Sequence, residues 1–150
     1  MFKENEAFKA IKEYLDNKVG LSELGSAFLK KLQGFLLIDR SNNHHSEEDL
    51  KIAYENLRLA RSSFDKLQCW LQSAICSLGL VKLIVEKDYI QHKEFGNYQK
   101  AFNLLKSVQQ VFKSHNFFEG EYQCLKYFMT IGTKLKGEYA NYYNTLKTRH

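Results

Sequence analysis

From Leu50 to Val85 apolar residues recur at alternating spacings of three and four: Leu50, Ala53, Leu57, Ala60, Phe64, Leu67, Leu71, Ala74, Leu78, Val81 and Val85. Only a helical backbone brings such positions onto one face, and the run amounts to a heptad seam over five repeats. The pattern predicts one long central helix over residues 46–87. Ser46 can cap its first turn, and Glu47, Glu48 and Asp49 set negative charge against the positive end of the helix dipole. Alanines at 53, 60 and 74 let a neighbour approach closely, while Tyr54, Trp70, Ile75 and Ile84 flank the seam and widen it toward more than one partner helix.

The rest of the chain repeats the same period. Phe8, Ile11 and Leu15 mark a short helix over 3–18, ended by Gly20; Leu21, Leu24, Phe28, Leu32 and Phe35 mark another over 21–39. Phe95, Tyr98, Phe102, Leu105, Gln109 and Phe112 predict a helix over 95–114. Phe118, Leu125, Phe128, Gly132, Leu135, Tyr139, Tyr142 and Leu146 predict a last one over 117–147, with Asn116 and Glu119 spaced as a capping box. No proline interrupts any of these stretches, and none alternates as a strand would. The expected fold is all-α: an antiparallel helical bundle of about five helices forming a single domain over 1–150, within the usual size of one hydrophobic core.

The most hydrophobic stretch, Leu67 to Val85, contains Lys82 and several Gln and Ser residues, so no transmembrane segment is expected. The first residues, MFKENEAFKAIKEYLDNK, lack the apolar run of a secretory signal. Three cysteines in a chain large enough to fold by packing suit a reducing compartment, and the cytoplasm is the expected location. Basic residues exceed acidic ones 22 to 17, a net charge of +5. The excess gathers at the end, where residues 121–150 carry a net +3.

Little in the sequence carries chemistry. Cys69 and Cys76, seven residues apart on one predicted helix, lie about 10.5 Å apart, too far for a disulfide, and read as small core residues, as does Cys124. His44 and His45 sit in a polar loop without defined metal spacing, and His92 lies in a charged connector. His115 is placed to meet a helix C-terminus. No Glu-x-x-His pair, nucleophile elbow or phosphate-binding glycine loop occurs, so neither a catalytic site nor a cofactor or metal is expected.

The reading that follows is a non-catalytic helical-bundle protein that docks another helical protein, or a second copy of itself, through apolar helix faces. Trp70, Ile75, Ile84 and Tyr143 are the expected contact residues. The alternative is weak binding of nucleic acid or another polyanion through Lys126, Lys134, Lys136, Lys147 and Arg149, interleaved with tyrosines on the last helix.

Overall fold

The computed structural model describes residues 6, 9–13, 22–40, 47–87, 89 and 97–148; of side chains it omits Arg40 and everything beyond Gly137. Residues 9–13 are helical, and five helices follow: α1 (Glu23–Arg40), α2 (Glu47–Lys66), α3 (Trp70–Glu86), α4 (Asn97–Ser114) and α5 (Phe118–Thr148). There is no strand among the described residues, so the all-α bundle expected from periodicity is what forms. Most of the 3–18 stretch, the 41–46 loop with His44 and His45, and the connector with His92 lie outside the described residues.

The predicted helix over 46–87 is two helices. Residues 67–69 break it: Gln68 adopts φ 60°, its N–H donates to the Asp65 carbonyl at 3.1 Å, and the Cys69 N–H reaches back to the Phe64 carbonyl at 2.8 Å. This pair of bonds is a Schellman motif, which satisfies the last carbonyls of α2 and turns the chain directly into α3. The seam runs through the corner without a missed position, so spacing gives no sign of it. A left-handed glutamine carries the Cβ clash that glycine avoids. Replacing Gln68 by glycine should therefore raise stability by about 0.5–1 kcal/mol, read as a higher urea midpoint with an unchanged m-value.

The α4–α5 corner is built the same way. Asn116 has φ 53° and donates to the Lys113 carbonyl at 3.1 Å; Phe117 donates to the Phe112 carbonyl at 2.9 Å, and the two phenyl rings meet edge to face with centroids 5.1 Å apart. Asn116 thus ends α4 rather than capping α5, which corrects the capping-box expectation: asparagine tolerates the left-handed conformation that a helix end needs. His115 does meet a helix C-terminus, its Nδ1 lying 2.9 Å from the Val111 carbonyl.

Successive helices pack on one another, and α3 is common to two cores. Each residue turns a helix by about 100°. Ala74, Leu78, Val81 and Val85 therefore share one side of α3, where they join Leu105, Val108 and Phe112 of α4 and Cys124, Tyr127 and Ile131 of α5. Cys76, Leu80 and Leu83 lie on the opposite side, against Ala27, Leu37 and Ile38 of α1 and Ala53, Leu57, Ala60 and Phe64 of α2. Helices α2 and α4 both lie on α3, and Leu104 of α4 packs at the edge of the α1–α2–α3 core. No helix among the described residues is long and apolar enough to cross a membrane.

Candidate functional site

The rotation of α5 about its own axis decides which of its side chains reach solvent. Gly120 lets the first turn sit on the aromatic corner: a Cβ there would come within 2.5 Å of the Phe117 ring and 2.6 Å of the Phe112 ring. Cys124, Tyr127 and Ile131 are buried behind it, with Phe128 and Leu135 packed at the margin. Two polar contacts fix the register against α3. The Tyr127 hydroxyl donates to the Glu86 carboxylate at 2.7 Å, and the Lys134 ammonium donates to the Val85 carbonyl at 2.9 Å while lying 5.2 Å from the centre of the Tyr98 ring. Burial and the Glu86 carboxylate push the Tyr127 phenol well above its ordinary pKa, so it remains a donor at alkaline pH.

With that face turned inward, a second apolar line points out. Phe118 is 73% exposed, Tyr122 64%, Leu125 54% and Met129 76%. Their spacing of four, three and four puts them on one stripe, on the far side of α5 from Cys124 and Ile131. Phe118 and Leu125 stand in the expected core seam yet face solvent, while Tyr127, which is not among the seam positions, is buried. The helix carries two apolar stripes, and the one holding Gly120, a small thiol and a hydroxyl with a carboxylate partner is the one that packs. The sequence signal for the exposed stripe was present in its own three-four spacing.

The expected contact residues do not form one patch. Trp70, at the start of α3, is 52% exposed and edges a cleft of about 180 Å³ with Arg61, Asp65, Ser73, Leu104 and Val111. Ser73 donates to the Asp65 carboxylate across the α2–α3 corner. Ile84 is half-buried and lines an adjoining cleft of about 210 Å³ with Tyr54, Arg61, Tyr89, Lys100 and Leu104, in the gap between α2 and α4. Ile75 is nine residues from Ile84, hence on the opposite side of α3, and is half-buried too. Tyr143 lies in α5, and its side chain is outside the described residues.

The five basic positions are also divided. Lys126 is exposed beside the Tyr122 ring at 5.7 Å and Lys136 is exposed, whereas Lys134 is turned onto α3 as described. Lys147 falls on α5 with its side chain outside the description, and Arg149 lies outside the described residues. Lys126 also borders a cleft of about 280 Å³ whose other charged members are Lys82, Glu86 and Glu119, so its cations face carboxylates.

These clefts hold two hydroxyl–carboxylate contacts, Ser73 on Asp65 and Tyr127 on Glu86. Burial pushes the Cys76 thiol up to about 12 and the Cys124 thiol up to about 11, so both stay protonated and inert. Cys69, Cys76 and Cys124 form no disulfide. No three His, Cys, Asp or Glu side chains converge on a metal position among the described residues. What the arrangement offers is a helix packed on one face that presents apolar side chains to solvent on the other. Comparison with protein-family models, with curated proteins and with solved structures finds no match to this chain.

Proposed function

We propose that the protein is a non-catalytic interaction module that binds a helical partner through the outward stripe of α5. The observation that carries this reading is the set of four large apolar side chains, Phe118, Tyr122, Leu125 and Met129, exposed in one register on a helix packed from behind. Together they leave on the order of 500 Å² of side-chain surface in water, in the range of the largest patches on ordinary monomers, which are often functional. A helical partner laying its own apolar stripe along them would bury this area in the manner of a coiled-coil seam. A reducing, cytoplasmic setting suits the three unpaired thiols.

The test is retention of a defined protein from cell extract at moderate salt after nuclease treatment, compared between the native chain and a Leu125→Glu, Met129→Glu double variant. Loss of that protein with the double variant, at unchanged helicity and melting temperature, is the expected result. Equal retention by both chains overturns the reading. Retention that disappears with salt or nuclease transfers the assignment to polyanion binding through Lys126, Lys136, Lys147 and Arg149.

A further inference from the structure

We infer that the helical partner of the α5 stripe is a second copy of this chain, the two α5 helices lying antiparallel across a two-fold axis near Gly132; this rests on the stripe being an interface. Three features of α5 support a self-complementary pairing. The first is charge. Glu119 and Glu121 stand in its first turn, and Lys126, Lys134, Lys136 and Lys147 follow, with Glu138 as the one later acid. Parallel helices would set acid beside acid and lysine beside lysine. Antiparallel helices centred on Gly132 bring the Glu119 end of each to the level of the Lys147 end of the other.

The second feature is register. Counting outward from Gly132, Leu125 and Tyr139 are each seven residues away, and Phe118 and Leu146 are each fourteen away. A two-fold axis at Gly132 therefore brings Leu125 level with Tyr139 of the other copy, and Phe118 level with Leu146. These two pairs set apolar positions against apolar positions at heptad spacing, as an isologous contact requires of one surface patch.

The third is Gly132 itself. It is exposed within the stripe, and a Cβ built on it meets nothing within 4 Å. Its own fold therefore gives no reason for a residue that weakens a helix relative to alanine. At the centre of a helix pair the missing side chain lets two backbones approach, which is the use small residues have at close crossings.

The test is sedimentation equilibrium of the full chain from about 1 to 100 μM, followed by oxidative cross-linking of single-cysteine additions in a Cys69→Ser background. A dimer is expected, weakened about 100-fold or more by Leu125→Glu with Met129→Glu, since four carboxylates would enter the seam. Gly132→Cys should cross-link between chains. Phe118→Cys should not, because an antiparallel pair separates the two copies of residue 118 by about 42 Å. Cross-linking at both positions means a parallel pair and overturns the orientation. A chain that is monomeric throughout overturns the second-copy assignment; loss of an extract partner on the same Leu125→Glu, Met129→Glu substitution would then show the stripe to be an interface for another protein.

Discussion

Replacing Phe64 by alanine should lower the unfolding free energy by about 3–5 kcal/mol, the range for emptying a fully buried aromatic site. The ring is completely shielded, stands edge-on to Phe28 at 5.0 Å and closes the end of the α1–α2–α3 core. Its backbone carbonyl also accepts the Cys69 N–H that ends α2, so the side chain is held at the point where the chain turns. The space left behind has little freedom to collapse, because the Schellman corner fixes α2 and α3 together just beyond it. Phe118→Ala is the matched control: that ring is mostly in water, and its loss should shift stability by no more than about 0.5 kcal/mol. Urea unfolding of the two variants measures both values. A loss below about 1.5 kcal/mol for Phe64→Ala would mean that the core described around it is not close-packed.

The contrast between these two phenylalanines marks how far the sequence can be read. Both stand at helical spacing among other apolar residues, and periodicity assigns both to a seam. It is right for Phe64, whose line of four buried positions in α2 outweighs the exposed pair Ile52 and Leu59. It is wrong for Phe118, because α5 has two apolar faces and spacing does not say which one turns inward. That choice is made by contacts that spacing does not encode: the rings of Phe112 and Phe117 on Gly120, the Tyr127 hydroxyl on Glu86 and the Lys134 ammonium on the Val85 carbonyl. The same limit explains Trp70, Ile75 and Ile84. On a helix covered from two opposite sides nearly every position is apolar, so flanking residues such as Ile75 and Ile84 fall into the gaps between neighbours rather than onto one surface. The corner at Gln68 left no trace for a different reason. A left-handed glutamine has no compositional mark, and the seam continues through it because α2 and α3 each need an apolar stripe, though toward different cores.

Leu57 should prove energetically coupled to Gly34. It projects from α2 between two glycines of different helices: a Cβ on Gly34 of α1 would lie 2.7 Å from its Cγ, and one on Gly79 of α3 would lie 2.8 Å from its Cδ1. Three helices thus close on one side chain, and the glycines are the space it occupies. Leu57→Ala should cost about 2–5 kcal/mol as a buried cavity. Gly34→Ala in the native background should cost about 1–2 kcal/mol, since overpacking against the branched Leu57 carbon outweighs the gain in helix propensity. In the Leu57→Ala background the opposing carbons are gone, and the next neighbour of the new methyl is the Ala53 carbonyl at an ordinary 3.4 Å. Gly34→Ala should there become neutral or stabilising by up to about 1 kcal/mol, the intrinsic preference of a helix for alanine over glycine. The double-mutant cycle should therefore return a coupling of about 1–3 kcal/mol, with the sign of the Gly34 substitution depending on what stands at position 57. Additivity within about 0.5 kcal/mol would show that α1 and α2 meet elsewhere than at these two residues, and with it that the packing of the first core around Leu57 is not as described.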